Sequence, residues 1–352
     1  MKITVQKTAS PKAKPADSSS LGFGKIFTDH MLLMDYDPGS GWHSPRILPY
    51  GPLELDPATS SLHYGQLIFE GMKAYKSAQG KTVMFRPQQN MSRLNESAKR
   101  ICIPAIDEDL TLDAITQLVK LEEDWIPSEP GTSLYIRPFI LGTDNYLGVR
   151  PSDKYLFCTI LSPSGLYFKG SVSIHVEESC VRAVQGGTGF AKCAGNYAAS
   201  MLSQMQAQAQ GFSQVLWLDA AERKYIEEVG AMNIFFVIDG QVVTPELSGT
   251  ILHGITRDSV LKLLKSWGMP ASERKISIQE VADASKAGKL DEAFGAGTAA
   301  IISPVGGLKW RDELIKIGNG TPGPVAQKLY DNLIGIQTCR LPDPFGWVYE
   351  VN

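Results

Sequence analysis

Apolar and polar positions alternate in short runs over residues 27–85, broken by turn formers at Asp37-Pro-Gly-Ser and Ala78-Gln-Gly-Lys, so this stretch reads as mainly sheet. Helical spacing follows at 90–101 and again at 111–125, where Thr111 can cap a helix with Ile115, Leu118, Val119 and Trp125 on roughly one face. Residues 133–142 and 155–161 have the look of buried strands. Residues 162–170, Ser-Pro-Ser-Gly-Leu-Tyr-Phe-Lys-Gly, interrupt the periodicity and are expected to link two domains. Beyond them Asn196 can cap a helix bearing Met201, Leu202, Met205 and Ala209 that stops at Gly211, its methionine stripe expected in the core. Strands at 214–218, 234–238 and 241–244 come next. The last two are joined by Asp239-Gly240, a hairpin turn that makes this sheet at least partly antiparallel. Residues 256–267 place Val260, Leu263, Leu264 and Trp267 at i, i+3, i+4 and i+7, ending at Gly268 with Pro270 beyond.

A chain of 352 residues exceeds what one compact core usually holds. The pattern divides it into an arm (1–20), a smaller N-terminal α/β domain (21–161), a linker (162–170) and a larger C-terminal domain (171–352). The arm is rich in Lys, Pro, Ala and Ser and has no apolar core. It is expected to be mobile and is not a signal peptide, although its basic composition leaves an organelle-targeting reading open. With 43% hydrophobic and 20% charged residues the chain has the balance of a soluble globular protein. The net charge of -3 gives no reason to expect nucleic acid, and no run approaches membrane-spanning length. Five scattered cysteines without a C-x-x-C pair, and five dispersed histidines, suggest neither a disulfide framework nor a metal site. A reducing cytoplasm is the expected home.

Candidate chemistry centres on Gln185-Gly-Gly-Thr-Gly-Phe-Ala-Lys192-Cys-Ala-Gly-Asn-Tyr197. Four glycines clear the backbone around one lysine, which a planar carbonyl ligand could then approach closely. A Schiff base with pyridoxal phosphate (PLP) suits this setting, and so does a surface loop that happens to hold a lysine. Glu227-Glu228 stands directly before a strongly apolar strand, either as a buried acid for a pyridine nitrogen or as a solvated strand end. The helix start at Gly254-Ile255-Thr256 and the turn Gly295-Ala-Gly-Thr298-Ala-Ala300 both suit an anion, and both also read as an ordinary cap and turn. Gly295-x-Gly297-x-x-Ala300 also matches a dinucleotide fingerprint, as in an NAD-dependent oxidoreductase. That fingerprint must open a helix, whereas Ile301-Ile-Ser-Pro304-Val reads as extended.

Seven ordered blocks give the chain a resemblance to the branched-chain amino acid aminotransferases, within the class IV (D-amino-acid-aminotransferase-like) PLP enzymes. They are Phe23-Gly-Lys-Ile-Phe-Thr-Asp-His30-Met, Leu62 to Tyr75 with Phe69-Glu-Gly, Phe85-Arg-Pro with Asn90-Met-Ser-Arg93, Ser133-Leu-Tyr-Ile-Arg137-Pro, the Lys192 block, Glu227 to Asn233, and Phe294 to Ala299. The resemblance implies a two-domain α/β (mixed α+β) fold with PLP between the domains. It implies that Lys192 is the Schiff-base lysine and proton shuttle, and that Glu228 pairs with the pyridine nitrogen. Arg93 is implied to grip the phosphate with the backbone of Ile255, Thr256 and Thr298, and Tyr197 to bond the ring hydroxyl. Phe27, Tyr64, Phe69, Tyr135 and Ala299 match the substrate pocket, with Arg137 supplying donors for the charged side chain of glutamate. Leu147 and Val149 match a loop that reaches the neighbouring subunit of a homodimer. The implied reaction is ping-pong exchange of the amino group between leucine, isoleucine or valine and 2-oxoglutarate, with no nucleic acid or membrane partner and no metal. Two departures stand out: Ala231 replaces a threonine near the cofactor, and Ala300 and Ser303 occupy the positions of a redox C-x-x-C, so that thiol switch should be absent. A D-amino-acid aminotransferase or an aminodeoxychorismate lyase would share Lys192 and Glu228 but need a different pocket. An NAD-dependent oxidoreductase would rest on residues 295–300 alone.

Overall fold

The computed structural model describes residues 2–15, 17, 21–165 and 170–351. It divides into two units. One comprises Met1–Tyr167, Ala191–Ala194 and Ile334–Asn352, and the other Phe168–Phe190 and Gly195–Leu333. The segment Ala191–Ala194, which contains Lys192, thus belongs to the first unit, as does the C-terminal segment that the sequence pattern assigned to the second domain.

The first unit is built on a nine-stranded sheet, antiparallel except at Thr4–Val5. Its longest pairing joins Ser133–Gly142 to Tyr155–Ser164 from Ser133 opposite Ser164 to Gly142 opposite Tyr155. This ladder takes Ser162 to Ser164 out of the expected linker, and Leu166 to Lys169 lie outside the described residues. The period of two sorts the side chains. Leu134, Ile136 and Ile140 enter a core with Ile68, Met72 and Ala74, closed by Met91, Leu94, Ile115, Leu118 and Val119 from two helices. Tyr135, Arg137 and Phe139 stand on the other face, where the register sets Lys73 opposite Tyr135 and Phe69 opposite Phe139. The helices are Pro87–Arg100 and Glu108–Leu121. The second begins three residues before Thr111, because Asp107 supplies the cap by accepting from the Leu110 amide at 3.0 Å. The N-terminal segment differs from a mobile arm: Thr4–Val5 runs parallel to Arg46 and Ile47, and further bonds follow along it.

The second unit holds a nine-stranded mixed sheet with the Met232–Ile238 and Gln241–Thr244 hairpin and parallel pairings elsewhere. The helix Ala194–Ala209, which belongs to this unit from Gly195 onward, starts before Asn196, whose side chain is not a cap. Asn196 instead accepts from the Thr188 hydroxyl at 2.7 Å and donates to the Thr188 carbonyl at 2.8 Å, pinning the glycine-rich loop. Met201, Leu202 and Met205 are exposed rather than core, since the buried side of this helix is the one bearing Asn196, Ser203 and Ala207.

Candidate active site

In the first unit Lys192 is tied at both backbone ends. Its amide donates to Ser97 Oγ at 2.9 Å and its carbonyl accepts from the Phe69 amide at 3.0 Å, with Cys193 bridged to Ile68 beside it. Lys192 Nζ sits 4.7 Å from the Phe69 ring centroid, and the Arg137 guanidinium lies at the same distance from that ring. Arg137 donates to the Tyr135 hydroxyl at 3.0 Å and to the Glu70 carbonyl at 3.0 Å. The Tyr135 hydroxyl is packed so close to Gly71 that a Cβ there would meet it at 2.0 Å. Phe69, Tyr135, Arg137 and Lys192 are thereby brought together. Lys73 shares their face of the sheet, and burial pulls its ammonium down to about 8.

Arg93 belongs to the same neighbourhood through Glu70, which is fully buried. Arg93 Nε and NH2 donate to the two carboxylate oxygens at 2.8 Å each, and Asn90 and the Gly71 amide add bonds at 2.8 and 3.1 Å. Burial pushes the Glu70 carboxyl up, but the charge and hydrogen bonds of Arg93, with Lys192 and Asn90, outweigh it and hold the group below the ordinary carboxylate value. This fork orients the arginine. Phe27 stacks on Tyr50, centroids 5.1 Å apart, and Tyr64, Leu147 and Val149 stand exposed at the edge of the unit. The loop bearing Leu147 and Val149 is held by Arg150, bonded to Asp144 at 3.1 Å and Asp153 at 2.9 Å.

The second unit holds the paired acids and the helix start and turn that the sequence pattern offers to an anion. Glu228 and Asn233 face each other across two strands. Glu228 Oε1 accepts from Asn233 Nδ2 at 3.2 Å and from the Leu252 amide at 3.1 Å, and Arg182 Nε lies 2.8 Å from Oε2. Its neighbour Glu227 accepts from the Thr250 hydroxyl at 2.5 Å; burial raises its pKa against the lowering by that bond and by the Arg182 charge, while Arg182 makes its ion pair with Glu228. The helix Ile255–Ser266 opens at Gly254 with no side-chain cap, a kind of helix end that suits an anion. Thr298 and Ala299 form the turn between Leu290–Gly297 and Ile301–Trp310. A strand therefore follows the Gly295-x-Gly297 run, which removes the dinucleotide reading. Ile301, a β-branched residue, closes this turn at φ 61°, a strained conformation beside the candidate donors. Tyr197 lies half-buried in the first turns of Ala194–Ala209.

Taken unit by unit, the groups are of the kinds a phosphorylated pyridine aldehyde needs: an amine and a forked cation in the first, a fixed carboxylate and an uncapped helix start in the second. Sequence reasoning missed Glu70, Lys73, Arg182 and Asn233 as contributors. Glu70 and Lys73 were legible only as charges inside an apolar strand run, and a lone Arg182 gave no signal.

A family model described as amino-transferase class IV matches residues 67–307. The chain is 56% identical over 352 residues to branched-chain-amino-acid aminotransferase 2 of Bacillus subtilis strain 168, covering 99% of this chain and 97% of that protein. It is 54% identical to branched-chain-amino-acid transaminase 1 of the same organism, covering 99% of each. Among solved structures, the Escherichia coli branched-chain amino acid aminotransferase superposes with a TM-score of 0.76 at 28% identity, covering 92% of this chain and 99% of that one. The T.th. branched-chain amino acid aminotransferase complexed with N-(5'-phosphopyridoxyl)-L-glutamate superposes at 0.74 with 29% identity, covering 91% and 98%.

Proposed function

Because the chain belongs to the class IV aminotransferases, we propose that it transfers the amino group between L-leucine, L-isoleucine or L-valine and 2-oxoglutarate, giving branched-chain 2-oxo acids and L-glutamate. The observation that supports this most is identity above one half over nearly the whole length to branched-chain transaminases, in a chain that gathers Lys192, Arg137 and Phe69 in the first unit and sets Arg182 and Asn233 on one buried acid in the second.

PLP is the family's cofactor, and when bound it supplies the aldehyde that takes up the substrate amino group and the electron sink that makes the Cα proton acidic. Lys192 Nζ, oriented over Phe69 by a backbone anchored at both ends, is the base that removes that proton. Glu228, held by two donors and Arg182, keeps a proton on the pyridine nitrogen. Arg93, oriented by Glu70, serves the phosphate with the backbone of Ile255, Thr256 and Thr298, and Tyr197 serves the ring hydroxyl. Phe27, Tyr64, Phe69, Tyr135 and Ala299 line the side-chain pocket, where Arg137 and the Tyr135 hydroxyl answer the second carboxylate of glutamate. Five free thiols fit a reducing cytoplasm, where we place the enzyme.

The visible spectrum of the PLP-loaded protein tests the reading. The cofactor band should shift on addition of L-leucine and return on addition of 2-oxoglutarate. A band that responds only to D-alanine would replace the substrate class with D-amino acids, and a protein that stays colourless when PLP is supplied would sink the proposal.

A further inference from the structure

We propose that Lys12, on the N-terminal segment, is a positioning residue for the substrate pocket, clamping the Phe27 wall so that it discriminates branched side chains; this rests on Phe27 lining the pocket, as proposed above. The segment reaches Lys12 through successive anchors. The Gln6 amide donates to the Ile47 carbonyl at 2.9 Å, the Thr8 amide to His30 Nε2 at 2.9 Å, and the Lys12 amide to Asp29 Oδ1 at 2.8 Å. These acceptors are themselves fixed. Because His30 Nε2 accepts, the ring proton sits on Nδ1, which faces Glu122 Oε1. Asp29 accepts from Trp125 Nε1 at 3.1 Å, and its amide donates to Glu122 Oε2 at 3.3 Å.

From that fixed backbone the Lys12 ammonium reaches three targets around Phe27. Nζ donates to the Thr28 carbonyl at 2.7 Å and to the Phe27 carbonyl at 3.2 Å, and lies 4.5 Å from the Tyr50 ring centroid. Tyr50 stacks on Phe27 at an interplanar angle of 7°, and the Tyr50 amide donates to the Asp29 carbonyl at 2.8 Å. One ammonium therefore holds the main chain of Phe27 and the ring against which its side chain lies. A near-parallel aromatic pair has little intrinsic preference over other arrangements, and a cation against the Tyr50 ring favours that ring staying where it is. No carboxylate is among the three targets, so what the ammonium supplies is geometry rather than charge neutralisation. A long side chain loses rotamer freedom in making this reach, and the position of Phe27 is what its ordering fixes.

A wall residue that shifts by a fraction of its width changes the fit of a branched side chain far more than that of a short one. The test compares kinetics on L-leucine and on L-2-aminobutyrate, whose side chain is a single ethyl group. Lys12→Met keeps the aliphatic stem and removes the cation. It should raise KM for leucine about fivefold while kcat/KM for 2-aminobutyrate changes less than about twofold, and Lys12→Arg should restore leucine. Equal losses on both substrates accompanied by a lowered Tm would make the segment a stability element only and overturn the inference, as would an unchanged leucine KM or failure of Lys12→Arg to rescue. Phe27→Ala in the same assays separates the two levels. If it shifts the leucine preference and Lys12→Met does not, the clamp alone is wrong. If Phe27→Ala leaves the preference untouched, the pocket reading fails and the clamp falls with it.

Discussion

Glu70 and Arg93 show how much a single pair can decide. Both are buried, and the pair joins the residue that follows the Leu67–Phe69 strand to the helix that carries the implied phosphate ligand. Removing the charge on one side leaves a buried guanidinium uncompensated, which costs more than the pair contributes. Glu70→Gln should therefore lower the unfolding free energy of the apoenzyme by about 3 kcal/mol, read from urea titrations. The sign with pH follows from the depressed carboxyl of Glu70. Its contribution is fully present above the ordinary carboxylate value and disappears as the pH falls through the lower folded value, so the gap between parent and variant should be constant near neutrality and close under acid. A gap that widened on acidification would refute the pairing as the source of stability. At this scale Lys192 and the Glu227-Glu228 pair stood out by their local settings, whereas Arg93 and the choice of Glu228 rested on the family resemblance. Their supporting partners Glu70, Arg182 and Asn233 escaped it, because a partner that orients another side chain leaves no periodic or compositional mark.

The start of Ile255–Ser266 depends on a residue chosen for what it lacks. Gly254 has an ordinary φ of -68°, so backbone freedom is not the reason for glycine. A Cβ there would lie 1.9 Å from Asn233 Oδ1, and Asn233 is the side chain that donates to Glu228. Gly254→Ala should thus disturb the helix start and the acid together. We expect the dissociation constant for PLP, titrated into apoenzyme by absorbance, to rise about tenfold or more. An unchanged constant would show that neither Ile255–Thr256 nor Glu228 takes part in holding the cofactor. Element type was legible where one periodicity ran long enough, as in Ser133–Gly142 and in Ile255–Ser266. Boundaries slipped where a side chain played a different part from the one its type suggests. Asp107 caps ahead of Thr111, and Asn196 fastens a loop instead of capping a helix. The apolar stripe of Ala194–Ala209 was read as core because periodicity reports an apolar face and not what covers it.

That exposed stripe bears on the assembly of the whole molecule. Met201, Leu202 and Met205 are 66%, 53% and 62% exposed on one helix of the second unit, and Leu147 and Val149 are 69% and 90% exposed on a salt-bridged loop of the first. Runs of large apolar side chains left in water are uncommon on monomers and usual at interfaces. The N-terminal segment makes the converse point: its polar composition suggested mobility, yet backbone pairing to Arg46 and Ile47 and side-chain acceptors at Asp29 and His30 hold it, none of which composition can report. We expect two 38.4 kDa chains to associate through the exposed apolar faces, with the Leu147–Val149 loop completing the partner's pocket. Equilibrium sedimentation should give at least twice the chain mass at micromolar concentration. Leu202→Lys combined with Met205→Lys places two charges in that face and should shift the protein to monomer, because burying an unpaired ammonium outweighs the apolar contact it replaces. Activity should then fall with the dimer fraction and recover as protein concentration is raised. A parent protein that sediments as a single chain at full activity would rule out a shared pocket, and would leave the apolar stripe and the Leu147–Val149 loop to some other partner.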